Sequence, residues 1–212
     1  MQIFVADVHM RPGNDRDRDR FLCWLKRIRP EAENIYILGD LFDFWYSGLE
    51  DALSDVLDAL CHPNIHIMPG NRDFLLHNLK NDALDILSSE EVVVTLYDRD
   101  ILLAHGHTLT MNDYGFKCLH FALWPLLRFL DCRLPISLKE KWARSLVNTS
   151  AAIRPPKVTI PVDAARKHGV NTIVCGHLHT PFLSQEMIVL PAFVDNGSFL
   201  IWDQDGPRII GG

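Results

Sequence analysis

The 212-residue chain has no long apolar run. Its longest candidate, Phe121 to Leu130, carries Pro125 and Arg128 and falls short of the ~20 residues that a bilayer span requires. The start, Met1-Gln2-Ile3-Phe4-Val5, shows neither a basic stretch nor a small-residue cleavage site, so no secretory leader is expected. Cysteine is sparse: five residues, an odd number, with no CxxC pair. That excludes a disulfide frame or a thiolate zinc site and predicts reduced thiols in the cytoplasm. Positive charge is in deficit, with 21 Lys and Arg against 27 Asp and Glu, a net charge of -6. A nucleic-acid coat is therefore excluded, and no nucleic-acid partner is expected. Repeats and low-complexity tracts are absent. At 48% hydrophobic and 23% charged residues the chain is ordinary globular material, neither disordered, collagenous nor coiled coil.

What the chain does have is one construction used five times. A short apolar run ends abruptly in Asp, Asn, Gly or His: Ile3 to His9, Ile35 to Asp40, Ile65 to Asn71, Ile101 to His107 and Thr172 to His179. Such runs have the length of strands covered on both faces. Phe21 to Ile28 and Ala52 to Leu60 carry apolar residues on one helical face. Alternating strands and helices predict an α/β sheet covered by helices, with all five polar clusters beyond the strand ends on one rim. The tail reads as short strands at 188–190, 193–194, 199–202 and 208–210, separated by turns at Asn196-Gly197 and Asp205-Gly206-Pro207, forming an antiparallel second sheet or sheet edge. Asp15 to Arg20 alternates in sign and reads as a solvated helix start. Residues 1–212 are read as a single domain with an insertion at 114–160.

That insertion carries eight Lys or Arg against two acids, a +6 segment in a -6 chain. Phe116, Leu119, Leu123, Leu126, Leu127 and Leu130 follow helical spacing, while Phe121, Trp124 and Phe129 fall off the stripe. Apolar groups all round a short helix need a partner, so the segment reads as a helical lid with an aromatic inner surface and a basic rim.

Asp7, His9, Asp40, Asn71, His105, His177 and His179 mix carboxylate, amide and imidazole donors without a thiolate. The set suits Mn²⁺, Fe or Zn²⁺. Seven ligands suit two divalent ions sharing a bridging carboxylate, which can activate a water and clamp an in-line displacement at phosphorus. Asp7 and His9, like His177 and His179, are two apart and would face one way on a regular strand. Gly39, Gly70 and Gly176 stand at strand exits, where the backbone turns sharply or approaches a ligand closely.

Taken together, Asp7-Val8-His9, Gly39-Asp40-Leu41-Phe42-Asp43, Gly70-Asn71-Arg72-Asp73, His105-Gly106-His107 and Gly176-His177-Leu178-His179 resemble the five blocks of the calcineurin-like metallophosphoesterases. The resemblance implies an αββα sandwich of two packed sheets flanked by helices, with a di-metal centre at one rim. Asp7, His9 and His179 would hold one ion, Asn71, His105 and His177 the other, with Asp40 bridging. Arg72 stands where most of the superfamily has His. Gly70 to Leu75, Leu38 to Trp45 and the run from Thr108 through Asp113-Tyr114-Gly115-Phe116 are similar to the UDP-2,3-diacylglucosamine diphosphatases of lipid A biosynthesis. This narrower resemblance implies Mn²⁺, a glycolipid-nucleotide substrate, and cleavage of its diphosphate to UMP and 2,3-diacylglucosamine 1-phosphate. It also implies peripheral attachment to the cytosolic face of the inner membrane. Asp40, Asn71 and Arg72 would be catalytic, with Arg72, Asp113, Phe116, Trp124, Arg144, Asn148 and Lys157 meeting substrate. A phosphate leaving group needs little protonation, which suits a fixed guanidinium better than a histidine acid.

The sequence departs from the family pattern at His107, where Asp is usual, and at Phe116, where an aromatic hydroxyl is frequent. The remaining histidines (His62, His66, His77, His120, His168) read as structural or surface. Asp73 reads as a residue that orients Arg72 or a metal histidine. Asp43 reads either the same way or as plain surface. The competing functions are a metallophosphoesterase for another nucleotide, a cyclic diester or a phosphoprotein, and a non-catalytic scaffold on the same fold.

Overall fold

The computed structural model describes residues 1–111, 114–152, 159–161 and 163–211; the side chains of 114–122, 144 and 146–152 are outside the description. The chain runs β1 (Gln2–Val5), α1 (Asp15–Ile28), β2 (Asn34–Leu38), α2 (Ser54–Leu60), β3 (Ile65–Met68), β4 (Asp85–Ile86), β5 (Glu91–Leu96) and β6 (Arg99–Ala104). It continues with α3 (Tyr114–Asp131), α4 (Ile136–Ala152), β7 (Thr172–Cys175), β8 (Phe182–Leu183), β9 (Met187–Val189), α5 (Phe193–Asn196), β10 (Phe199–Asp203) and β11 (Gly206–Ile210).

Two mixed sheets form, in the orders β11-β10-β1-β2-β3-β4 and β5-β6-β7-β9-β8. The continuous hydrophobicity of the early strands follows from burial of both faces. Ile3, Val5, Ile35 and Ile37 point outward to a core shared with Phe21, Trp24, Leu25 and Ile28 of α1 and with α2. Phe4, Ala6, Tyr36 and Leu38, which alternate with them, point inward and meet Ile101, Leu103 and Val174 of the other sheet. The second sheet's outer face, with Leu102, Ala104, Ile173 and Cys175, is covered by Ile160 and a 3-10 turn over Ala164–His168. The result is two sheets flanked by helical elements, the architecture expected.

Helix α1 forms where its sequence asks for it. Asn14 accepts from the Asp17 N–H as N-cap, Asp15 and Asp17 occupy the first turn, and Lys26 and Arg27 the last. The alternating charges stay outside, paired as Arg18–Asp15 and Arg20–Asp17.

The tail differs from expectation in two ways. Its strands are divided: β9 joins the second sheet, while β10 and β11 extend the first beside β1. Phe193-Val194 opens a short helix, not a strand, because their N–H groups donate to the carbonyls of Ala6 and Asp7. Asn196-Gly197 is a turn, with Gly197 left-handed as the helix cap.

Helices α3 and α4 are anchored by polar groups, among them Lys139, which the sequence reading placed on a basic rim. Lys139 is buried; its ammonium donates to the carbonyls of Ser47 and Asp131 and lies 3.6 Å from Asp131 Oδ1. Asp131, also buried, accepts from Ser47 N–H and Oγ and from Asn78 Nδ2. The inward face of α3 is set by Trp124, Leu127 and Asp131, at helical spacing, and Leu126 is exposed. Trp124 therefore belongs to the buried stripe, and Leu126 does not.

Candidate functional site: an Asp and His cleft beyond the strand ends

Each polar block follows directly on a strand, and the loops run side by side. Asp7 N–H donates to Gly39 O at 3.1 Å, His9 N–H to Asp40 O at 3.0 Å and Gly176 N–H to His105 O at 3.0 Å. Met10 and Phe42 form a further bridge. This lacing carries Asp7, His9, Asp40, His105, His177 and His179 to one rim.

Asp7 and His9 do not sit on a regular strand, nor do His177 and His179. β1 ends at Val5 and β7 at Cys175. Asp7, His9, Asp40, His177 and His179 are all left-handed, with φ of 56°, 54°, 52°, 66° and 52°. Asp and His adopt this region more readily than most residues, though at a cost. Neighbouring glycines make the room: a Cβ on Gly39 would meet the His105 ring, and one on Gly70 the Asp40 carboxylate.

Two groups of donors have ligand atoms within 4.8 Å of one another: Asp7, His9 and His179, and Asp7, Asp40 and His105. Asp7 belongs to both. Asn71 Oδ1 lies 2.9 Å from His105 Nε2, and the His177 ring stands edge-on to His105 with centroids 5.1 Å apart. All seven expected residues therefore converge. Nδ1 of His105 contacts the Leu38 carbonyl at 2.8 Å, an outer contact that fixes the ring and turns Nε2 to the cleft. Asp7 Oδ1 and His9 Nδ1 are buried and make no hydrogen bond. Leaving such atoms unmatched is costly, and an ion among oxygen and nitrogen donors would satisfy both. The donor set thus fits divalent metal.

The protonation states fit directly for two of the imidazoles; burial would lower His105, but the Asp40 and Asp7 charges outweigh it and raise it, and the Asp7 contact raises His179, so these last two would release a proton on binding an ion. Burial drives His177 down to about 3, helped by the His105 charge, and His9 down to about 4, so both imidazoles are neutral and able to ligate at pH 7. Burial would raise Asp7, but its contact with His179 and the charges of His105 and His9 outweigh it and hold the carboxyl below the usual range. Asp40 is raised, by burial and by the Asp7 charge. Two close buried carboxylates repel, which is the condition that a cation relieves.

Arg72 stands at the cleft edge. Its N–H donates to Asp40 Oδ1 at 2.9 Å, its Nε lies 3.8 Å from Asp40 Oδ2, and its Nη1 donates to Asp43 Oδ1 at 2.8 Å. Asp43, which sequence left between orienting and surface roles, is buried and orients the guanidinium. Asp73 does not. It accepts from Gly70 N–H at 2.6 Å and Phe42 N–H at 3.1 Å, pinning two ligand loops together. The signal for both lay in the spacing Asp40-x-x-Asp43 and Gly70-x-x-Asp73, a carboxylate three residues past a strand exit. Sequence reasoning missed Arg11, whose Nε reaches Asp43 Oδ2 at 2.7 Å.

His107 is buried, with ring centroids 5.3 Å from His105 and 5.5 Å from Trp124. Trp124 stacks on Phe74 with centroids 4.1 Å apart, packed rather than lining an open cavity. Phe116, Arg144 and Asn148 have side chains outside the described residues, as do Asp113 and Lys157 entirely. His62, His66 and His168 pair with Asn64, Asp85 and Glu91, as expected of structural or surface histidines.

The sequence model for calcineurin-like phosphoesterases matches residues 3–181, and the chain belongs to that family. Membership makes it a metal-dependent hydrolase of phosphate esters or anhydrides. Within the family it is similar to curated proteins named UDP-2,3-diacylglucosamine hydrolase. The protein from Edwardsiella ictaluri is 31% identical, over 98% of this chain and 90% of that one. The protein from Pseudomonas syringae pv. tomato is 31% identical, over 99% of this chain and 94% of that one. Among solved structures, an archaeal phosphodiesterase superposes with a TM-score of 0.53 at 14% identity, covering 100% of this chain and 99% of that one. A phosphoesterase from E. coli superposes at 0.50 with 18% identity, covering 99% and 92%. These two speak for the fold alone.

Proposed function

We propose that the chain hydrolyses the diphosphate of UDP-2,3-diacylglucosamine, yielding UMP and 2,3-diacylglucosamine 1-phosphate. One observation carries the reading: the Arg72 guanidinium, bonded to Asp43 and 3.8 Å from Asp40, stands beside a cleft where seven candidate metal ligands converge, in a chain similar over nearly its whole length to hydrolases named for that substrate. Asp7, His9 and His179 would hold one divalent ion, and Asn71, His105 and His177 the other, with Asp40 shared by both. Two ions, which we assign as Mn²⁺, would polarise a phosphoryl group and lower the pKa of a water.

The protein's own groups do the rest. Arg72 meets charge on the phosphoryl oxygens and on the departing phosphate, whose low basicity makes a proton donor unnecessary. Asn71 turns its amide to the same oxygens. Asp43 keeps the guanidinium in place, and His9 and His177 stay neutral as ligands.

The α3–α4 pair serves as the lid of this single domain. A narrow crevice at its foot, about 10 Å³, is lined by Phe44, Tyr46, Leu75, Leu127 and Trp142 together with the Asp131–Lys139 pair, so acyl chains would enter there only if α3 and α4 part. Its outward face exposes Leu126, Phe129, Ile136 and Leu138, with Arg133 stacked on Phe129 at 3.7 Å. No described helix is long and apolar enough to cross a membrane. An apolar face edged with cations supports attachment to the surface of the inner membrane instead. Flotation with anionic vesicles, lost on Phe129→Asp, checks that assignment.

The deciding test of function is product analysis with Mn²⁺ and UDP-2,3-diacylglucosamine. UMP and the acylated sugar 1-phosphate should appear and be lost in Asp40→Ala. Turnover of a simple phosphodiester without cleavage of the glycolipid would refute the substrate assignment and leave the metal centre.

A further inference from the structure

Asp43 is shared. Its two oxygens are each taken by a different guanidinium: Oδ1 by Nη1 of Arg72 at 2.8 Å, and Oδ2 by Nε of Arg11 at 2.7 Å. The Asp43 side chain is 7% exposed, whereas the Arg11 side chain is 59% exposed. An ordinary surface ion pair is worth about 0–1 kcal/mol and does not require burying its acid. Here one buried carboxylate fixes two forks at once.

The backbone fixes their roots. Met10 N–H donates to Leu41 O and Asp43 N–H donates to Met10 O, both at 3.0 Å, so Arg11 leaves a strand-like bridge beside Asp43. The chain then turns immediately, with Asn14 N–H returning to Arg11 O at 3.1 Å. Arg11 is thus placed by the same loop that carries Asp7 and His9.

The charges around Asp43 do not balance. Two guanidiniums face one carboxylate. Asp40, the other carboxylate near Arg72, is 3.8 Å from its Nε and belongs to the Asp7–Asp40–His105 group. Among the described residues the two terminal amino groups of Arg11 make no hydrogen bond. A guanidinium held by Nε keeps that outer pair of N–H groups free for phosphate oxygens in bidentate geometry.

We propose that Arg11 is a second phosphate-binding residue, joined to Arg72 through Asp43 in a two-guanidinium clamp that selects a diphosphate over a single phosphoryl group. The proposal rests on the cleft being a phosphoryl site, as argued above, and adds the residue that sets its preference.

The test is equilibrium binding of UDP and UMP to the Mn²⁺-loaded protein by titration calorimetry. The unaltered protein should prefer UDP by about tenfold or more, the worth of one charge-assisted contact pair. Arg11→Ala should narrow the UDP-to-UMP ratio by about fivefold or more, and Arg11→Lys, which keeps charge but not the fork, should restore part of it. Asp43→Asn should narrow it as well, since it releases both guanidiniums. A ratio in Arg11→Ala within about twofold of the unaltered protein would overturn the proposal, as would the absence of any UDP preference at the outset. Lack of glycolipid cleavage alongside an Arg11-dependent UDP preference would remove the lipid substrate and keep the clamp. Cleavage with an Arg11-independent ratio would remove the clamp alone.

Discussion

Replacing Gly176 by Ala tests how the cleft is built, independently of any substrate. A Cβ there would lie 2.6 Å from Ala6 Cβ and 2.7 Å from Asp7 Oδ2. Neither neighbour can yield freely. Ala6 is buried in the core between the sheets, and Asp7 is fully buried with Oδ2 accepting from His177 N–H at 2.9 Å. Ordinary van der Waals contact needs several tenths of an ångström more on both sides, so β7's exit and the Asp7 loop must separate. Overpacking of this kind costs about 1–3 kcal/mol. For a chain of this length, a cost of about 2 kcal/mol lowers the melting temperature by roughly 4–8 °C. Since Asp7 belongs to both donor groups, its displacement should also weaken metal binding by about 10–100-fold, the usual effect of disturbing a ligand's support. Calorimetry on metal-free protein gives the first quantity and Mn²⁺ titration the second. Gly13→Ala is the control: its φ of +80° carries the left-handed penalty, yet nothing lies within 4 Å of a Cβ. That variant should lose about 1–2 kcal/mol and bind metal normally. Gly176→Ala with unchanged metal affinity and the stability of the control would refute the packing argument.

Three further outcomes are expected. Arg72→Ala should lower turnover of the diphosphate by about 10²–10³-fold, as loss of a transition-state donor does, with bound metal unchanged by elemental analysis; near-normal turnover removes Arg72 from catalysis. Asp73 has a carboxyl pushed up to about 7 by burial and the Asp40 charge, so its contribution is full below about pH 4 and fades as pH rises through 7. The destabilisation in Asp73→Asn, measured by urea unfolding of the metal-free protein, should therefore be larger at pH 5 than at pH 8, and the opposite trend would contradict the sign. Asp131→Ala leaves Lys139 buried without its counter-charge and strips Ser47 and Asn78 of an acceptor, for a loss of about 3–5 kcal/mol; unchanged hydrogen-exchange protection in α3 and α4 would show that this latch does not anchor them.

Much of the fold was legible because the same burial that stabilises a strand writes its signature in the sequence. Ile3 to Ala6 and Ile35 to Leu38 read as unbroken apolar runs since alternate residues enter different cores, one under α1 and one between the sheets. The ligands were legible because each run ends in a residue type that no apolar core accepts unpaired. What escaped depends on long-range partners. Phe193-Val194 has strand-like side chains, but the carbonyls of Ala6 and Asp7 capture its N–H groups and bend it into a turn. Lys139 reads as a rim charge until Asp131 and the Ser47 carbonyl are beside it, and Trp124 reads as an off-stripe aromatic meeting substrate until Phe74 stacks on it. Arg11 carries no local mark at all; only the folded loop pair brings it to Asp43.

The left-handed residues show why ligand identity was readable and ligand geometry was not. Five of the seven candidate metal ligands sit at φ between 52° and 66°, each at a cost of roughly 1–3 kcal/mol. A strand cannot hold them so, and a free loop would relax. What sustains them is reciprocal pinning between blocks. Asp7 and His9 donate to the carbonyls of Gly39 and Asp40, Gly176 donates to that of His105, and His177 donates to the Asp7 carboxylate. Asp7, His9, Asp40, His105 and His177 are each tied to a group of another block, so their conformations depend on the loops of both sheets lying side by side. The left-handed conformation, not strand geometry, sets the direction in which these side chains leave the backbone. It also prepays part of the ordering that metal binding would otherwise require. Removing one cross-block bond therefore acts on several ligands at once, which is why Gly176, not itself a donor, is the sharper probe of the site.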